Sequence, residues 1–92
     1  MRFFIKLSYN GTRFCGWQIQ PHSPSIQETI EKILTTLLGE GISITGAGRT
    51  DSGVHASCYF AHFDTEKNFS VDDMKYKLNR MLPYDIAIRS IF

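Results

Sequence analysis

From Arg2 to Tyr9 apolar and polar residues alternate, with Phe3, Ile5, Leu7 and Tyr9 on one face and Arg2, Lys6 and Ser8 largely on the other. A period of two is that of a strand buried on one side. After a stretch punctuated by Gly11, Gly16, Pro21 and Pro24 the period changes, and Ile26, Ile30, Ile33, Leu34 and Leu37 recur at helical spacing. Ser25, with Glu28 three residues on, predicts a capping box, and Gly39 supplies a stop, so a helix is expected over about residues 26–38. Ile42-Ser43-Ile44-Thr45 alternates as a second strand and Ser57 to Phe63 as a third. Ser70 and Asp73 then open a helix in which Val71, Met74, Leu78, Met81 and Leu82 keep helical spacing until Pro83. Asp85 to Phe92 reads as a fourth strand. The order βαββαβ predicts an α+β fold, a ferredoxin-like sandwich of one antiparallel sheet with two helices on one face.

The chain has 92 residues, 42% of them hydrophobic and 13% aromatic, which suits one domain with one modest core. Its formal net charge of +1 gives no global basic field, so any nucleic-acid binding must rest on local clusters of Arg and Lys. Cys15 and Cys58 belong to no CxxC pair, which points to reduced thiols rather than a zinc site or a disulfide framework. The first residues carry charge among their apolar positions, and no stretch approaches 18 uninterrupted apolar residues. A soluble, cytoplasmic protein is expected, which makes the glycosylation patterns at Asn10 and Asn68 coincidental. Ile88, Ile91 and Phe92 finish an apolar strand without a polar tail, and the expectation is one domain of a longer protein.

Gly46-Ala47-Gly48-Arg49-Thr50-Asp51-Ser52-Gly53-Val54-His55-Ala56 is the run richest in candidate chemistry. Its glycines let backbone come close to a ligand. A dinucleotide fingerprint fails here, because the third glycine of GxGxxG would fall on Asp51, and no Lys-Ser or Lys-Thr completes a P-loop. What remains is a carboxylate presented beside Arg49, Thr50 and His55. A carboxylate can be nucleophile, general base or metal ligand; the nearest other acids, Glu40 and Asp64, give a metal no positive support. Arg49 favours the ionised form of Asp51, hence nucleophile or base rather than general acid. The alternative is that Arg49 and Asp51 simply pair across a turn.

A second cluster, Tyr9-Asn10-Gly11-Thr12-Arg13-Phe14-Cys15-Gly16-Trp17-Gln18, mixes aromatics and a cation with glycine. Such loops stack bases and touch phosphates, or plug the end of a core; Trp17 fits the second role better and Arg13 the first. His22, His55 and His62 match no metal-ligand spacing. His62 is expected on a strand face, and His55 either orients Asp51, contacts a phosphate or makes a structural hydrogen bond. Lys75, Lys77 and Arg80 read as a solvated helix face, with an RNA-facing patch as the alternative.

These motifs carry a family resemblance. The segment Tyr9 to Gln18 resembles the opening Tyr-x-Gly-x-x-Phe-x-Gly-Trp-Gln of tRNA pseudouridine synthases of the TruA type, and Gly46 to Ala56 resembles their Gly-x-Gly-Arg-Thr-Asp-x-Gly-Val-His-Ala signature. Leu78-Asn79-Arg80-Met81-Leu82-Pro83 with Asp85-Ile86 resembles their Leu-Asn-x-x-Leu-Pro-x-Asp-Ile segment. The resemblance covers almost the whole chain and is to the amino-terminal half of the family. It implies isomerisation of uridine to pseudouridine in the tRNA anticodon stem-loop, at positions 38, 39 and 40, without cofactor or metal. It makes Asp51 the catalytic aspartate, by attack at C1′ or by proton abstraction at C2′ through a glycal, and Arg49 the residue that holds it. Arg13, Thr50, His55 and Arg80, with Lys75 behind them, become RNA-binding candidates.

The departure is length: the family has a second, related half that carries its base-stacking tyrosine, and usually forms homodimers. None of Tyr9, Tyr59, Tyr76 or Tyr84 inherits that stacking role. The chain alone is therefore expected to lack activity and to bind the tRNA anticodon arm weakly. A rival from another class is a non-catalytic RRM-like RNA-binding domain, which shares the element order. Ser57-Cys58-Tyr59-Phe60-Ala61-His62-Phe63 lacks the Arg-Gly opening of its octamer. A purely structural interaction domain leaves the glycines, Arg49 and Asp51 unexplained.

Overall fold

The elements follow in the order β1 (Arg2–Tyr9), α1 (Ile26–Leu38), β2 (Ile44–Gly46), β3 (Ala56–Asp64), α2 (Val71–Met81) and β4 (Ile86–Ile91). The computed structural model describes residues 1–10, 25–47 and 56–92, the side chains of Ala56 and Ser57 excepted. The four strands form one sheet in the order β2-β3-β1-β4, every neighbouring pair antiparallel. This is the ferredoxin-like α+β arrangement that the element order predicts.

One face of the sheet carries the core. Ile5, Leu7 and Tyr9 from β1, Ala61 and Phe63 from β3, Ile44 from β2 and Ile86, Ile88 and Ile91 from β4 form one buried cluster. Ile26, Ile30, Leu34 and Leu38 of α1 and Met74 and Leu78 of α2 complete it, so both helices bury their apolar stripes against the same face. Ile91 rather than Ser90 reaches this face because the ladder of β4 slips. Lys6 pairs with Ser90 but Leu7 pairs with Ile88, which leaves Arg89 as an extra residue. The resulting bulge turns Arg89 and Ser90 outward together and brings Ile91 back to the core.

The helix ends are capped by the residues that predicted them. Ser25 Oγ accepts from Glu28 N–H at 3.1 Å, and Gly39, at φ 72°, donates its N–H to Thr35 O at 2.9 Å. Glu28 does not complete the box; its carboxylate lies 3.7 Å from Lys32 Nζ. Ser70 Oγ accepts from Asp73 N–H at 3.3 Å, and α2 stops one residue earlier than its apolar spacing, because Leu82 takes an extended ψ of 150° ahead of Pro83.

β2 is shorter than the alternation of Ile42 to Thr45 suggests. Ile42 is buried, but its N–H is taken by Thr35 Oγ1 at 3.1 Å rather than by a neighbouring strand. β3 is longer by a residue at each end, running from Ala56 to Asp64. β4 begins at Ile86, whose N–H closes a turn onto Pro83 O at 3.0 Å.

Both outer edges of the sheet are bonded by helix side chains. At β2, Glu31 Oε2 accepts from Ile44 N–H at 2.7 Å and Gln27 Nε2 donates to Ile44 O at 2.9 Å. At β4, Asn79 does both with one amide, accepting from Ile88 N–H at 2.8 Å and donating to Ile88 O at 3.0 Å. These bonds satisfy groups that a free edge would leave to water. Among the described residues no helix is long and apolar enough to cross a membrane.

Candidate active site

The topology directs the described flanks of the three motifs toward one end of the sheet. β1 runs into the first motif at Tyr9, β2 runs into the glycine run at Gly46, β3 leaves that run at Ala56, and β4 leaves the third motif at Ile86. Tyr9 is opposite Ala56 on one side and Ile86 on the other, so the first motif begins between the flanks of the other two. Asn10 N–H donates to Asp85 O at 2.8 Å, and Ala47 N–H donates to Phe60 O at 2.9 Å. Tyr9, nearly buried, meets the Tyr59 ring edge-on with centroids 5.9 Å apart. These contacts fix where each motif enters and leaves.

Arg13, Arg49, Thr50, Asp51 and His55 lie outside the described residues, as do Cys15, Trp17 and His22. Arg80, the remaining candidate, is in the last turn of α2. Its Nη1 donates to Tyr76 Oη at 3.1 Å while the guanidinium carbon lies 5.6 Å from the centre of the Tyr76 ring. Lys77 pairs with Asp73 at 3.0 Å, so part of this helix surface is an ordinary solvated face. His62 is half-buried on its strand, its ring 5.8 Å from that of Phe4. Cys58 is a free, exposed thiol. Among the described residues no group of three His, Cys, Asp or Glu side chains could hold a metal ion.

Sequence reasoning missed two residues. Asn79 belongs to the third motif, and its amide serves the backbone of Ile88; nothing periodic marks a bond across nine positions. Arg89 does have a signal, as a cation in the outward phase of an otherwise isoleucine-rich strand. It lines an open depression of ≈ 390 Å³ with Ser8, Tyr9, Asn10, Tyr84, Asp85 and Ala87, beside the entrance to the first motif. Arg89 Nε donates to Ser8 Oγ at 3.1 Å, which orients the guanidinium.

The opposite end of the sheet is knit together by charge. The Met1 ammonium donates to Glu66 Oε1 at 2.7 Å and to Thr65 O at 3.1 Å, and Arg2 binds Asp64 through Nε at 2.9 Å and Nη2 at 3.3 Å. Those bonds from Arg2 hold the Asp64 carboxyl below its usual range and raise the guanidinium above its own. Arg89 and Lys6, nearer the motif end, have no ion-pair partner among the described residues.

A family model described as tRNA pseudouridine synthase matches residues 6–92. The chain belongs to the tRNA pseudouridine synthase family. Similar proteins include tRNA pseudouridine synthase A of Bacteroides fragilis, 52% identical over 91 residues, which are 98% of this chain and 36% of that protein. The corresponding protein of Azobacteroides pseudotrichonymphae is 49% identical over 90 residues, again 98% of this chain and 36% of the relative. That of Aquifex aeolicus is 40% identical over 89 residues, 97% and 37% of the two lengths. The chain thus spans about a third of the length of the curated relatives it matches.

Proposed function

We propose that this chain is the amino-terminal, aspartate-bearing domain of an enzyme that isomerises uridine to pseudouridine in the tRNA anticodon stem-loop, at positions 38, 39 and 40. The observation that carries the reading is family membership over residues 6–92 of a chain that contains the Arg49-Thr50-Asp51 signature. The reaction breaks the bond between N1 and C1′, rotates the base and joins C5 to C1′, with loss of the proton from C5. An ionised Asp51 serves it either as nucleophile at C1′ or as base at C2′, and Arg49 orients Asp51 and favours its ionised form.

The uridine must leave its stack, at a cost of a few kcal/mol, which phosphate contacts offset. Arg13, Thr50, His55 and Arg80 are the residues we assign to those contacts. The rest of the protein completes the cleft, and the full-length chain acts as a cytoplasmic homodimer without a cofactor. The 92 residues alone have negligible activity.

Release of tritium from C5-labelled uridine in tRNA measures the reaction directly. Full-length wild type is expected to release it, and Asp51→Asn to release none while still binding tRNA. Full activity in Asp51→Asn ends the assignment. The RRM-like alternative draws support from Phe4 and Phe60, exposed on the two central strands. A module of that kind would bind RNA and release no tritium with either sequence.

A further inference from the structure

The face of the sheet away from the helices is not evenly polar. Along a line from the glycine run outward come Ala47, then Phe60 on β3, Lys6 on β1, and Ser90 with Arg89 on β4. Ala47 and Phe60 share a backbone hydrogen bond, Lys6 is opposite Phe60 on one side and Ser90 on the other, and Arg89 bonds Ser8 one strand over. Phe60 is 42% exposed. Among the described residues Lys6 and Arg89 have no carboxylate partner, whereas the cations at the other end of the sheet, Met1 and Arg2, are both neutralised. The bulge at Arg89 matters here, because a regular strand would not turn Arg89 and Ser90 to the same side.

We infer that this band, from Ala47 to Arg89, is an RNA-contacting surface in which Lys6 and Arg89 bind backbone phosphates of the tRNA that enters the site. The inference rests on the proposed function and extends it to residues outside the three motifs. Its occupant is a polyanion because the band offers unneutralised donors, with the Arg89 fork held in one orientation by the Ser8 hydroxyl. Phe60 supplies an apolar platform between the glycine run and Lys6, suited to a ribose or base.

The test measures binding of anticodon stem-loop RNA to the full-length protein over a range of salt, alongside single-turnover tritium release at saturating RNA. Arg89→Gln and Lys6→Gln are each expected to weaken binding about tenfold and to lower the slope of log affinity against log salt by about one, the signature of one lost phosphate contact. The saturated rate should stay within about twofold of wild type, since neither residue touches the reacting atoms. Arg89→Lys keeps the charge and should retain the slope, and Lys77→Gln, an ion-paired lysine on α2, should change nothing. Wild-type affinity and slope in both glutamine variants overturn the inference while leaving the proposed function intact. An equal loss of slope in Arg89→Lys, or in Lys77→Gln, overturns it as well. If wild type neither binds this RNA nor releases tritium, the proposed function falls and the inference with it.

Discussion

Truncating Asn79 to alanine removes the only side chain among the described residues that bonds the outer edge of β4 at Ile88. Two hydrogen bonds to backbone, of 2.8 and 3.0 Å, are lost, and each contributes about 0.5–1.5 kcal/mol net. The gross loss is therefore about 1–3 kcal/mol. Position 79 is exposed, so water can reach the freed N–H and C=O, which places the loss in the lower half of that range. Alanine is also the better helix former by roughly 0.6 kcal/mol, and the net destabilisation expected is about 0.5–1.5 kcal/mol.

Asn79→Asp separates the two terms, since asparagine and aspartate have nearly equal helix propensity. The carboxylate can still accept from Ile88 N–H but faces Ile88 O with a lone pair in place of a donor. It should therefore cost more than alanine at pH 7. Protonation restores a donor, so the carboxyl is raised in the folded state and the deficit should shrink as pH falls through that value. Urea unfolding of the 92-residue chain, followed by circular dichroism with an unchanged m-value, reads both variants, and amide exchange at Ile88 reports the edge itself. Losses below about 0.5 kcal/mol in both variants, the scale of an ordinary surface change, would refute the reasoning.

Other outcomes follow from single residues. Gly39 has φ 72° and open space around a would-be Cβ, so Gly39→Ala should cost about 1 kcal/mol through backbone strain alone; Gly41→Ala, equally unobstructed and without positive φ, should be neutral or slightly stabilising in the same urea assay. Asp64 has a depressed folded-state value because Arg2 bonds it, so its contribution is present above the unfolded carboxyl range and is lost as pH falls through the folded value. An NMR titration should show Arg2→Gln moving the Asp64 midpoint up, and no movement would mean that the pair does not persist in solution.

Much of the scaffold was legible because its elements obey a period. Ile5, Leu7 and Tyr9 alternate, Ile26, Ile30 and Leu34 recur by helical turns, and Ser25 and Gly39 make the local bonds their types predict. Periodicity could not distinguish Ile42, buried in extended chain and bonded to a helix hydroxyl, from a residue in a ladder. Nor could it find Asn79, whose partner depends on how α2 lies along β4. The candidate site was legible in another sense, as residue identity rather than pattern. Arg49 and Asp51 stand out by chemistry, and the register of Tyr9 with Ala56 and Ile86 brings flanks of the three separated motifs side by side. Alternation already turns Arg89 outward, but that Ser90 joins it on the same side and Ile91 returns to the core depends on a bulge that no short-range spacing announces.

The two ends of this sheet are held by different means. At one end Met1, Arg2, Asp64, Thr65 and Glu66 tie the chain to itself, with Thr65 Oγ1 donating to Glu40 Oε2 at 2.9 Å as a further stitch. At the other, the connections leave from strands whose register is already set by Leu7, Phe63 and Ile88 in the core. The short connection after Met81 belongs to the fold as well, with Leu82 in the core and Asp85 O accepting from Asn10 N–H, so this end is anchored by packing rather than by charge. A substitution at the stitched end should therefore be read out in unfolding, whereas one in the core beneath the other end shifts the register on which the flanks of the motifs depend.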